Sequence, residues 1–243
     1  TLVGLWTFEK FKPKTTIVFV PSVGLINQIR GDWLGNTKFD NINTISVCSS
    51  NDRNFKGDET KILQKDLDFE ITTDVKKIKK FINKKSKFPK VIFSTYQSSQ
   101  VLGRALKGKK IDFSIFDEAH RTARLTRIKK HNKKQSSFSY ALYDENIDIE
   151  KRLFMTATRR VKNYNKKNKE GDLKLNLSMD NELYGNVCYD LSFYNAAKKG
   201  IIAKSKIIIS HITSKMIDRY ARSKSITHVK GKEVNSEQIA AQI

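Results

Sequence analysis

An α/β fold with a parallel sheet and crossover helices, followed by the beginning of a second domain, is what this sequence predicts. Three observations carry that prediction: short apolar runs without alternation, helical patterns between them, and a restart of the pattern after Asp190. Strands covered on both faces lose the in/out alternation, so unbroken runs fit a buried parallel sheet. Leu2 to Phe11 opens as a helix, with Leu2, Leu5, Trp6 and Phe8 crowding one side. The strand runs are Thr16–Val20, Thr44–Val47, Val91–Ser94, Phe113–Phe116 and Arg152–Met155. Between them lie helical patterns at Leu25–Trp33, at Asp74–Asn83 (Val75, Ile78, Phe81 and Ile82 on one face) and at Gln97–Leu106. Strand and helix in alternation give crossover connections and a parallel sheet.

Two stretches break the pattern. Arg121–Ser137 is dense in Arg and Lys, and Val161–Lys174 is rich in Lys and Asn; both are expected to be exposed loops or frayed helices at the rim of the sheet. Beyond Asp190 a helix is expected around Ser192–Lys199, with Gly200 ending it and Lys206–Ile209 as a new strand. The expected domains are therefore residues 1–190 and an incomplete second one over 191–243.

At 243 residues and 38% hydrophobic, the chain has enough apolar surface for a real core, which excludes a disordered tail. No run nears the ~18 apolar residues of a membrane span, and the chain opens with no secretory leader pattern, so a cytoplasmic location is expected. The 2 cysteines, Cys48 and Cys188, make neither a disulfide framework nor a zinc site, and both sit in apolar contexts suited to packing. The 4 histidines, His120, His131, His211 and His228, are too dispersed for a metal centre. Net charge is +22, which fits a polyanionic partner, nucleic acid first. The excess is mostly lysine, 36 against 11 arginines, as an AT-rich genome also produces, so charge alone does not decide function.

In an open α/β sheet the ligand sits beyond the carboxyl ends of the strands. After Phe113–Phe116 come Asp117, Glu118, Ala119 and His120. Of two adjacent carboxylates at a strand end, one can serve Mg²⁺, which wants hard oxygen ligands, and the other can orient and deprotonate a water in line with a phosphoryl group. An acidic helix cap is the plainer explanation for such a pair on its own. Three of the other strand runs, however, also end in small hydroxyl residues: Thr156, Ala157 and Thr158; Ser94, Thr95, Tyr96 and Gln97; Pro21 and Ser22, with Leu25 and Gln28 on the next helix. Hydroxyls in those places suit phosphate contacts.

Phe-Asp-Glu-Ala-His (116–120), Met-Thr-Ala-Thr (155–158), Val-Pro-Ser-Val-Gly-Leu-Ile-Asn-Gln (20–28) and Ser-Thr-Tyr-Gln (94–97) together resemble the superfamily 2 DEAH-type helicases and translocases, in their restriction-enzyme-associated and predicted-helicase branch. The resemblance implies a RecA-like ATP-binding domain up to Asp190 and the lead-in to a second RecA-like domain after it. It implies ATP and Mg²⁺ as cofactors, with Asp117 as the magnesium carboxylate and Glu118 as the base. His120 would couple that pair to Thr156, Ala157 and Thr158. Pro21, Ser22, Gln28, Ser94, Thr95 and Tyr96 fall where the family touches one nucleic-acid strand, and backbone contact of that kind carries no sequence preference. Apart from the resemblance, Arg121–Lys134 reads first as a solvated insertion and alternatively as a basic flap beside that track.

The family's Gly-rich phosphate loop, ending Gly-Lys-Ser/Thr, does not occur in these 243 residues. Thr1 is expected to be the last residue of that loop, its hydroxyl facing Mg²⁺, which makes the chain a fragment that does not hydrolyse ATP alone. Arg159 stands where relatives often have Pro. The function this implies for the parent is a nucleic-acid-dependent ATPase that moves on or unwinds DNA, with nuclease or methyltransferase modules elsewhere in the parent chain. The alternatives are a catalytically inactive nucleic-acid-binding domain and an RNA helicase; the restriction-type resemblance favours DNA over RNA.

Overall fold

The structure is a computed structural model that describes residues 1–49, 69–123, 126–129, 132–133, 136–160, 166–167, 173–175, 178–180 and 182–203. Two compact units divide the chain, Thr1–Asn186 and Val187–Ile243. The first unit is built on a six-stranded sheet in the order β3-β2-β4-β1-β5-β8. Its strands are β1 (Thr15–Val20), β2 (Asn43–Val47), β3 (Ile71–Thr72), β4 (Lys90–Thr95), β5 (Ile111–Phe116) and β8 (Ile149–Phe154). Every pairing in this sheet is parallel, with β1 central: Val18 sits opposite Phe93 of β4 and Ile115 of β5. The sheet is therefore the RecA-like α/β architecture expected from the sequence.

The missing alternation has a direct structural cause. On β1, Ile17 and Phe19 enter one core cluster, with Ile92, Phe116 and Leu102, while Val18 and Val20 enter the other, with Val91, Phe93, Phe113 and Ile115. Both faces of the strand are buried, so both sets of side chains are apolar. Helices α1 (Leu2–Phe11) and α2 (Val23–Asn36) cover the second face through Leu5, Phe8, Ile26, Ile29 and Trp33. The first face is covered by α3 (Val75–Asn83) and α4 (Ser99–Ala105), with Ile78 of α3 fully buried and Val75, Phe81 and Ile82 packed beside it. Adjacent strands β1 and β4 thus send their following helices to opposite faces, and a crevice opens at the carboxyl ends where the two part.

Local signals explain the helix limits. The Ser22 hydroxyl accepts from the Leu25 N–H at the start of α2, and the Asp74 carboxylate accepts from Lys76 N–H at the start of α3. α1 ends on Lys12, which takes a left-handed conformation (φ 49) while its N–H reaches the Phe8 carbonyl.

The two basic stretches differ from expectation. Instead of loops or frayed helices they contribute β6 (Thr126–Lys129), β7 (Asn132–Lys133), β9 (Lys166–Lys167) and β10 (Leu173–Leu175) to a four-stranded sheet in the order β7-β6-β10-β9, paired antiparallel. Backbone pairing needs no core side chains, and antiparallel strands tolerate polar faces. The period-2 alternation of Thr126, Ile128 with Arg127, Lys129, and of Leu173, Leu175 around Lys174, was the available signal. The remainder of the expected Arg121–Lys134 flap lies outside the described residues.

In the second unit, α5 (Phe193–Lys198) is capped by Ser192, whose hydroxyl accepts from Asn195 N–H, and Gly200 follows at φ 70. The expected strand Lys206–Ile209, and His131, His211 and His228, lie outside the described residues. Cys48 is buried, but Cys188 is exposed, contrary to expectation, because it lies in an extended segment whose neighbours Val187 and Tyr189 are exposed too. Among the described residues no helix is long and apolar enough to cross a membrane.

Candidate functional site

The turn after β5 is fixed from three sides. Asp117 N–H donates to the Phe19 carbonyl of β1 (2.9 Å), and Ala119 N–H donates to the Met155 carbonyl beyond β8 (2.9 Å). From below, the Tyr96 hydroxyl donates to the Asp117 carbonyl at 2.6 Å. Between these anchors Glu118 takes a left-handed conformation (φ 51, ψ 44), which costs a non-glycine residue roughly 1–2 kcal/mol. Such a residue persists only where its surroundings over-determine it. The result is a sharp reversal that sets Asp117 and Glu118 side by side at the carboxyl end of a central strand.

The two carboxylates differ in environment. Burial pushes the Asp117 carboxyl above the usual carboxylate range, and the neighbouring Glu118 charge adds to the rise. The Glu118 side chain is 40% exposed, and its Oε2 lies 3.1 Å from His120 Nδ1. That same nitrogen lies 2.9 Å from Thr156 Oγ1, which in turn accepts from the Thr158 N–H at 3.1 Å. Glu118, His120 and Thr156 thus form one row across the ends of β5 and β8, with Ala157 and Thr158 exposed beyond it. Arg159 pairs with Asp180 at the surface.

The residues expected along the nucleic-acid track divide sharply. Ser22 is half-buried and Gln28 exposed, so both are reachable. Pro21, Ser94, Thr95 and Tyr96 are buried, the last three completely. Their hydroxyls are used within the domain. Ser94 donates to the Val47 carbonyl (3.1 Å), Thr95 to Ser98 Oγ (3.2 Å), and Tyr96 to Asp117. The physical reason is that β4 remains covered on both faces right to its end, so side chains there turn into the core. Gln97, half-buried, was given no role by the sequence; its Nε2 reaches the Pro21 carbonyl at 3.5 Å and ties the ends of β4 and β1 together. Tyr184 was also missed. It exchanges a 2.7 Å hydrogen bond with Thr122, just past the turn, and rests edge-on against Phe154. Nothing local in the sequence marks that contact, which spans 62 positions.

Residues 1–161 match the family model described as "Type III restriction enzyme, res subunit" (ResIII). The chain belongs to this family. The ResIII match covers the six-stranded sheet and the turn at its centre, so this is a helicase-type ATP-binding domain of superfamily 2. Solved structures agree. The chain is 30% identical to one titled "ATP-dependent Type ISP restriction-modification enzyme LlaBIII bound to DNA", with a TM-score of 0.62, covering 82% of this chain and 13% of that one. It is 27% identical to a nuclease-deletion mutant of the Type ISP enzyme LlaGI in complex with a DNA substrate mimic, with a TM-score of 0.59, covering 82% of this chain and 15% of that one. No curated protein matches the chain.

The ResIII domain implies a nucleotide with Mg²⁺, and the residues present fit one part of that need. Asp117 offers a hard oxygen donor at the carboxyl end of β5, and partial burial raises its pKa. Among the described residues no group of three acidic, His or Cys side chains could cage a metal. That suits Mg²⁺, which takes one or two protein oxygens and fills its shell with water and phosphate.

Proposed function

We propose that this ResIII domain is the first motor domain of a larger ATP-dependent DNA translocase or helicase of the restriction-enzyme kind. The observation that carries this reading is the row Glu118–His120–Thr156, set beside the buried Asp117 at the carboxyl ends of β5 and β8. Asp117 and Thr1 would hold Mg²⁺, which when bound offsets phosphate charge. Glu118, the more exposed carboxylate, orients a water and takes its proton. His120 ties the state of that carboxylate to Thr156, and through it to Ala157 and Thr158 on the exposed loop. Ser22 and Gln28 contact one nucleic-acid strand, while Ser94, Thr95 and Tyr96 shape the floor beneath it. The solved relatives are described with DNA, which supports DNA as the partner ahead of RNA.

With no Gly-Lys-Ser/Thr loop in its sequence, this chain by itself is expected not to hydrolyse ATP. The test is ATP hydrolysis by the enzyme carrying this domain together with its phosphate loop and second motor domain. Rates are compared without nucleic acid and with single-stranded DNA, duplex DNA or RNA. Stimulation by DNA, abolished by Glu118→Gln, is the expected result. No hydrolysis under any condition, with DNA still bound, would instead establish an inactive binding domain.

A further inference from the structure

The parallel sheet has a second end, roughly 20 Å from the Asp117 turn along six-residue strands. There the amino ends of β1 and β4, at Thr15 and Lys90, open onto a cavity of about 500 Å³. Its charged lining is Lys12, Lys14, Lys84, Lys85, Lys87 and Lys90, with no Asp or Glu among the lining residues. Phe39, Phe88 and two prolines form the apolar wall.

The lysines are held in place by ordered backbone. Lys12 is the left-handed cap of α1 and is followed by Pro13, which fixes the approach to β1. The loop from α3 to β4 is organised by Ser86, whose hydroxyl accepts from Phe88 N–H (2.9 Å) and from Asn43 Nδ2 (2.7 Å). The Lys90 ammonium is committed to the Ile82 carbonyl (2.6 Å) and to that of Lys84, at the carboxyl end of α3. Burial and the neighbouring Lys84 charge push Lys90 below the usual lysine range, a direct sign of crowded cations. The other five are exposed, and the ion pairs among the described residues leave all five out. Five uncompensated ammonium groups around one concavity lie within a Debye length of each other, so they repel until an anion joins them.

We propose that this cavity is a second phosphate-binding site, which takes the phosphodiester backbone of DNA at the end of the sheet opposite the Asp117–Glu118 turn. The proposal rests on the reading above that DNA is the partner. Exposed ammonium groups on flexible stems suit a sequence-independent polymer.

The test is binding of a labelled duplex to the full chain across a salt series, comparing the parent with a K84Q/K85Q/K87Q variant. A variant with Lys76→Gln, Lys79→Gln and Lys198→Gln removes the same charge from other exposed positions. The cavity variant is expected to bind on the order of tenfold more weakly at low salt, with a log–log salt slope shallower by about 2, and the control to change much less. Equal losses in both variants would overturn the proposal in favour of diffuse charge, and no loss in either would overturn it outright. Inorganic tripolyphosphate that binds the parent but not the cavity variant, with duplex binding the same in both, would reassign the cavity to a small phosphate ligand. Unstimulated ATP hydrolysis by the larger enzyme, lost in Glu118→Gln and retained in the cavity variant, separates a failure here from a failure of the proposed function.

Discussion

Tyr96 carries a hydroxyl from the end of β4 to the backbone of the Asp117 turn, stacked between Phe19 and Phe138 at 5.8 and 5.4 Å between ring centres. Burial raises its pKa well above the ordinary phenol value, as it raises Tyr184 to about 12. Folding therefore favours the protonated phenol. That stability is fully present below pH ~10, the unfolded value, and is lost as pH climbs toward the folded value. Tyr96→Phe is expected to cost about 1 kcal/mol at neutral pH through the lost hydrogen bond. It should also flatten the fall in stability as pH rises above ~10, as measured by denaturant unfolding across the alkaline range. Asp117 is the converse case. Its charge is already disfavoured by burial, so Asp117→Asn should melt no lower than the parent at pH 7 while abolishing hydrolysis in the larger enzyme. At this scale the sequence made Asp117, Glu118, His120 and Thr156 legible because their order along the chain marks strand ends. It did not show that the Ser94, Thr95 and Tyr96 side chains turn inward, because side-chain direction at the end of a doubly covered strand is set by the helices above it.

Among elements, the five long strands and the first four helices were legible because burial on two faces, or on one helical stripe, leaves a composition that nothing else produces. β3, two residues long, has no such pattern, and β6 and β10 hid theirs under lysine. Contacts between elements were not legible at all. On α4, a Cβ at Gly103 would lie 2.6 Å from the Tyr140 hydroxyl and 3.0 Å from the Asn146 carbonyl, so the helix approaches that turn as closely as a glycine allows. Gly103→Ala is expected to destabilise by about 1–3 kcal/mol. Gly31, inside α2, has open space around its missing Cβ. Gly31→Ala should stabilise by about 0.5–1 kcal/mol through helix propensity alone. Equilibrium unfolding of the two variants separates a packing glycine from an incidental one.

At the scale of the molecule, the acidic turn and the lysine cavity mark opposite ends of one sheet, in a chain whose net charge is +22. Covering 13% and 15% of the two solved enzymes, the chain corresponds to one part of a larger machine. In the proposed function His120 has a particular place, because it touches both Glu118 and Thr156 in the loop after β8. The most direct measurement is the ratio of DNA-stimulated to unstimulated ATP hydrolysis in a His120→Ala variant of the larger enzyme. The account predicts that unstimulated hydrolysis persists while the stimulation by DNA disappears. Stimulation as strong as in the parent would contradict it, and would leave the Glu118–His120–Thr156 row as packing rather than coupling.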